Sequence, residues 1–141
     1  MNASVQHFTV QRNNPAQGRW HQAPLPAVGA GEVLLHVDLV SFTANNVTYG
    51  VFGTAMKYWD FFPAAEGFGR VPVWGFATVT ESRAEGVAPG ARVYGYLPMS
   101  DTLVVRPGAV KAAHRFAEFG QAAEDETDWV PPRLRLVTDQ R

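Results

Sequence analysis

The strongest constraint on the fold is an apolar alternation interrupted at short intervals by glycine and proline. Val33, Leu35, Val37 and Leu39 alternate with Leu34, His36, Asp38 and Val40. That period of two puts one strongly apolar face on a strand running on from Gly31-Glu32. Comparable runs occur at Phe76 to Glu81, Arg92 to Leu97 and Thr102 to Arg106. Pro89-Gly90 divides the first two, and Pro107-Gly108 closes the last, residues that favour turns and cannot continue a ladder. Val5 to Val10 and Arg19 to Gln22 read as an opening hairpin. Ala23-Pro24-Leu25-Pro26 cannot be helix interior and reads as an extended linker. One short helix is expected near Ala44 to Phe52, followed by an irregular aromatic segment. Several short strands divided in this way imply a small β-barrel or sandwich.

The 141 residues are the length of one domain with room for a hydrophobic core. A net charge of -1 gives no electrostatic basis for binding nucleic acid or acidic membranes. No apolar run approaches the roughly 20 residues of a membrane helix, and Met1 to Val10 lacks the basic start and apolar centre of a signal peptide. With no cysteine, disulfides, thiolate catalysis and cysteine-ligated zinc are excluded. A cytoplasmic location is the expectation. Composition then shifts: Lys111 to Arg141 carries 11 of the 25 Asp, Glu, Lys and Arg residues. A barrel domain over residues 1–110 and a poorly ordered tail over 111–141 are expected, with a marginal helix at Ala112 to Glu126 as the alternative for the tail. Within the tail, Arg133 to Val137 alternates weakly.

Ala23-Pro24-Leu25-Pro26, Gly31-Glu32-Val33-Leu34, the loop Thr43 to Tyr49, Gly75-Phe76-Ala77-Thr78-Val79 and Val87-Ala88-Pro89-Gly90-Ala91-Arg92-Val93-Tyr94-Gly95 together carry a resemblance. They resemble the GroES-like N-terminal domain of the medium-chain dehydrogenase/reductase superfamily. Leu39 to Gly53, Tyr58 to Pro63, Arg70 to Phe76 and Tyr94 to Ser100 look like an uncharacterised bacterial family of unknown function within it. The resemblance covers Val5 to Val110. It implies a mainly β fold: a partly open β-barrel with one or two short helices. It also implies, for full-length relatives, a following domain that binds NAD(P)H. Such a domain needs a strand, a glycine-rich turn and a helix whose N-terminus meets the pyrophosphate, and nothing after Val110 supplies them. Gly29-Ala30-Gly31 enters a strand and Gly67-Phe68-Gly69 runs into Arg70-Val71-Pro72, so neither opens a nucleotide-binding helix. The zinc-dependent branches carry a Gly-His-Glu segment and cysteine ligands, both absent here. His7, His21, His36 and His114 are scattered, with no spacing that would converge on a metal.

The resemblance places Thr43 to Tyr49 at the substrate cleft. Asn46 stands where an aspartate is common in the quinone-reductase-like branch; an amide there can hydrogen-bond a carbonyl without carrying charge. Tyr49 can hold a substrate carbonyl or relay a proton. Against these roles, Asn45 and Asn46 can cap the helix and Tyr49 can pack on the barrel. Nine of the 17 aromatic residues fall between Tyr49 and Phe76, at spacings that match neither a helix nor a strand face. Packing explains most of them; Tyr58 and Trp59 are the candidates for a pocket. Asp60 and Glu66 lack the fixed separation that paired acid/base work requires, and Ser100 lacks a nucleophile elbow. No catalytic, cofactor-binding or metal residue is assigned.

Three functions follow as expectations. The first is the substrate-pocket domain of a zinc-independent NAD(P)H-dependent reductase-like protein, acting on a carbonyl or activated alkene and inactive alone. The second is a stand-alone binding module that recruits a partner domain or self-associates through an exposed apolar face. The third is a truncated or frameshifted product without activity.

Overall fold

In a computed structural model, which describes residues 4–60, 62, 64–107, 118–120 and 134–137, the chain opens with an antiparallel hairpin. Strand β1 (Ser4–Gln11) pairs with β2 (Asn14–Pro24), with Phe8 opposite Trp20 and Val5 opposite Ala23. β2 contains Pro15 and is an edge strand of its sheet, where a missing amide proton breaks no inner ladder. The other side of β1 pairs with the two-residue β4 (Phe68–Gly69). The expected opening hairpin is therefore present and longer at both ends, since β2 takes in Ala23 and Pro24 from the expected linker.

The rest forms a curled sheet. β3 (Val33–Ser41) pairs with β5 (Val73–Ser82), β5 with β6 (Arg92–Leu97), and β7 (Thr102–Pro107) returns antiparallel to β3. The gap between β6 and β7 is bridged only by short pairings with β8 (Glu118–Gly120) and β9 (Leu134–Val137), which close the ring. The chain is thus mainly β and barrel-like, with one α-helix, α1 (Ala44–Val51), and a single 3-10 turn at Tyr58–Asp60 among the described residues. The expected tail and its alternative helix fall largely outside the described residues. Glu118–Gly120, inside the expected helix, is strand, because the open edge of β7 offers backbone partners at Arg106 and Pro107. The weak alternation of Arg133 to Val137 corresponds to β9.

Alternation explains the barrel core. Val33, Leu35, Val73, Ala77, Val79, Val93 and Leu97 are essentially fully buried and join Leu103 and Val105 in one cluster. Burial of each such Val or Leu is worth about 1.5–3 kcal/mol. The expected face of β3 holds only in its first half. Register irregularities between Leu34 and Leu35 and between Val37 and Leu39 disturb the period. Leu34 is buried beside Leu35, whereas Leu39 is 60% exposed. An extra residue in one strand turns later side chains to the opposite face. The skipped residue, Asp38, accepts a hydrogen bond from Thr78 Oγ1 at 2.5 Å.

Candidate functional site

Helix α1 follows β3 after Ser41 and is set in place at its first turn. Thr43 is extended (φ -133°, ψ 174°) and is the N-cap; its hydroxyl accepts from the amide of Asn45. The helix is locally encoded by a reciprocal capping box, in which Asn46 Oδ1 accepts from the Thr43 amide at 2.7 Å. Asn46 Nδ2 donates to the Pro72 carbonyl at 2.9 Å, a buried bond that ties the helix to the start of β5. Asn46 is itself buried. Its amide therefore binds protein at both ends, while Asn45, the other expected cap, lies exposed.

One turn on, Tyr49 meets a cluster of hydroxyls and rings. Its ring lies 4.6 Å from that of Tyr58 and 6.0 Å, edge-on, from that of Tyr96 on β6. Tyr96 Oη donates to Tyr49 Oη at 3.1 Å. Trp74, opposite Tyr96 across β5 and β6, has its ring 4.3 Å away. Tyr49 accepts, and among the described residues its own O–H has no acceptor. Burial, then the hydrogen bond given to Tyr49 and the neighbouring Tyr49 and Tyr58, push the Tyr96 phenol well above its ordinary range, against the opposing pull of Trp74. Tyr96 is a neutral donor throughout the physiological range.

Trp59 has a different place. It is buried in a second cluster with Val10 and Val71. Its ring fills the space where side chains at Gly53 and Gly69 would stand: a Cβ there would come within 2.1 and 2.2 Å of ring atoms. Its Nε1 is buried and has no hydrogen-bond partner among the described residues. Of the four expected pocket residues, Tyr49 and Tyr58 are brought together, Trp59 is a packing element, and Asn46 is a tie beneath the helix.

The sequence reading left Trp74, Tyr94 and Tyr96 out of the site. Their signal was cross-strand: Trp74 and Phe76 on β5 stand opposite Tyr96 and Tyr94 on β6, giving a row of aromatics on the outer face. Tyr94 lies 5.6 Å from Trp74 and 4.8 Å from Phe76, and the Arg92 guanidinium covers Phe76 at 4.7 Å. Trp74 and Tyr94 remain more than a third exposed. Nearby in sequence, Phe42, Val47, Val51 and Phe52 are each more than half exposed. No group of three or more His, Asp or Glu side chains among the described residues could hold a metal ion, and no helix among them is long and apolar enough to cross a membrane.

Fold and site together define a small barrel protein whose outer face carries a hydrogen-bonded aromatic cluster opening at Tyr49. Residues 40–130 match the family described as Protein of unknown function (DUF2855), and the chain belongs to that family. The matched segment contains α1, the tyrosine cluster and strands β5 to β7. No curated protein matches the chain.

Proposed function

We propose that this barrel supplies the substrate-side wall of a zinc-independent, NAD(P)H-dependent reductase-like protein of the medium-chain, GroES-like type. The observation that carries the reading is the hydroxyl pair in which Tyr96 donates to Tyr49, set beside an apolar aromatic face. A carbonyl oxygen placed at Tyr49 would receive the one O–H left over from the pair. That hydrogen bond strengthens as negative charge develops on the oxygen, which is how a neutral donor assists attack at a carbonyl or a conjugated alkene. Tyr96 acts through Tyr49 by holding its acceptor side occupied, and is a positioning residue.

In this reading the chain does not itself hold the dinucleotide. In α1, the helix that would have to receive the pyrophosphate, the amides of Asn45 and Asn46 are already turned onto Thr43, so the anion-binding end is self-capped. In this reading the cofactor belongs to another domain, and this chain orients the substrate's oxygen. Isotope-edited infrared spectroscopy of 2-cyclohexenone titrated onto the protein tests this. A carbonyl stretch shifted to lower frequency by the protein and restored in Tyr49→Phe is the expected result; an unshifted band ends the proposal. Titration with NADPH is expected to show no saturable tight binding by this chain, and tight binding would refute the division of labour.

A second reading, an interaction module, is favoured by the exposure of the large apolar side chains Phe42 (62%) and Val51 (61%) at the two ends of α1, since exposed apolar surface can mark a docking face. Light scattering across a concentration series checks it: a strict monomer that captures no second domain counts against it.

A further inference from the structure

The hairpin sheet and the barrel meet along Met99 to Asp101. Phe8 N–H donates to the Met99 carbonyl at 2.8 Å, Asp101 N–H to the Gln6 carbonyl at 3.0 Å, and Val37 N–H to the Asp101 carbonyl at 2.9 Å. Beside this seam lies an open cleft of about 380 Å³, walled by Gln6 and Trp20 of the hairpin, the Val37–Val40 end of β3, and Met99–Asp101. Junctions between layers are where ligand cavities form, and the volume is that of a small-molecule site. The cleft shares no residue with the tyrosine cluster.

Its chemistry is one-sided. Val37, Leu39, Val40 and Met99 make the lining mostly apolar, and the ionisable residues along it are Asp38 and Asp101 alone. Each carboxylate has one oxygen in use: Asp101 Oδ1 accepts from the Gln6 amide at 3.1 Å and Asp38 Oδ2 from Thr78 Oγ1. Neither belongs to an ion pair among the described residues. His7, which feels Asp101, is held below its ordinary pKa by burial and by Arg70 and His21, so it does not neutralise the site near pH 7. Trp20 lines the cleft with 66% of its surface open, and an exposed indole face attracts a cation. We propose that this cleft binds a small organic ammonium ion carrying a compact apolar body. The body would lie on Leu39, Val40 and Met99, and the charge would sit between the carboxylates and Trp20.

The experiment is a titration of the full chain, followed by the Trp20 indole and Met99 methyl NMR signals, with three isosteric probes: 2-phenylethylammonium, 2-phenylethanol and 3-phenylpropanoate. The expected result is saturable binding of the cation alone or with clear preference. Asp101→Asn and Asp38→Asn keep an oxygen acceptor for Gln6 and Thr78 and remove only charge. Each is expected to weaken binding about fivefold, the return from one partly exposed charge contact. Trp20→Ala, at an exposed position, is expected to weaken it by a similar factor. Equal binding of the alcohol or the carboxylate, an unchanged affinity in both asparagine variants, or no saturation by the ammonium probe overturns the proposal.

Discussion

Replacing Asn46 decides whether its amide is a tie or a substrate contact. In Asn46→Ala, the Pro72 carbonyl loses the 2.9 Å bond from Nδ2 in a buried place, a loss of about 1–3 kcal/mol. The Thr43 amide loses its acceptor at 2.7 Å, and half a capping box contributes roughly 0.5–1 kcal/mol more. The sum is about 2–4 kcal/mol, a large part of a small domain's stability. Urea unfolding should show it as a lower midpoint at unchanged slope. Asn46→Asp sharpens the test. It keeps the oxygen facing Thr43 but turns a second oxygen toward the Pro72 carbonyl, and the helix N-terminus offsets only about 0.3–1 kcal/mol of that. Burial and the facing carbonyl raise the folded-state pKa of the new carboxyl above its unfolded value of about 3.9. The protonated form can donate to Pro72; the charged form cannot. Stability relative to the parent is then best below about pH 3.9 and falls as pH rises through the raised folded value. An alanine variant within about 0.5 kcal/mol of the parent, or an aspartate variant with no such pH trend, refutes the structural assignment and returns the amide to the substrate.

Gly53→Ala and Gly69→Ala each press a Cβ into the Trp59 ring, so each should cost about 1–3 kcal/mol by overpacking; adding Trp59→Leu should recover part of that loss in a double-mutant cycle read by denaturation. Gly90 has φ +89° with nothing within 4 Å of a built Cβ, so Gly90→Ala should cost only the backbone term, about 1–2 kcal/mol, and Gly90→Asn less, by thermal unfolding. His7 has a folded pKa depressed by burial first, then by Arg70 and His21. Its contribution is complete above the unfolded value of about 6.5 and is lost as pH falls through the depressed folded value. His7→Gln should flatten that acid-side slope in stability measured against pH.

What was legible in the sequence followed from strict local rules. Arg92 to Leu97 lies between the turn residues Pro89-Gly90 and Pro98 and is β6 residue for residue. Thr43-Ala44-Asn45-Asn46 gave the helix start to within one residue, although the cap is Thr43 and Asn46 closes the box from the third position. Leu39 was misplaced because a bulge is a pairing property: nothing in Val37-Asp38-Leu39 alone says that Asp38 will drop out of register. The site failed in the same way. Tyr49 and Tyr58 lie in one segment and are expected together, whereas Trp74 and Tyr96 become neighbours only when β5 and β6 pair. Trp59 looked like Tyr58 in sequence, but the room left by Gly53 and Gly69 takes its ring inside.

The inner face of the barrel explains why the aromatics of β5 and β6 lie outside it. Positions along β3, β5 and β6 that point inward carry Val, Leu, Ala and Gly, several at zero exposure, and Phe62, from the segment after the 3-10 turn, packs against them. The aromatics of β5 and β6 therefore occupy the opposite face, where only part of their area can be covered. Tyr49 of α1 and Tyr58 cover Tyr96, while Trp74 and Tyr94 stay partly open. A purely structural role would be served as well by Phe as by Tyr at 49 and 96. The hydroxyls instead form a hydrogen-bonded pair under a raised Tyr96 phenol pKa, and the proton not used in it lies at Tyr49, where the covered part of the face meets the open part. That placement is the one the proposed substrate contact requires. The Tyr49→Phe variant tests that contact without disturbing the ring packing: a fold as stable as the parent to within about 1 kcal/mol, together with loss of the carbonyl shift, separates recognition from packing.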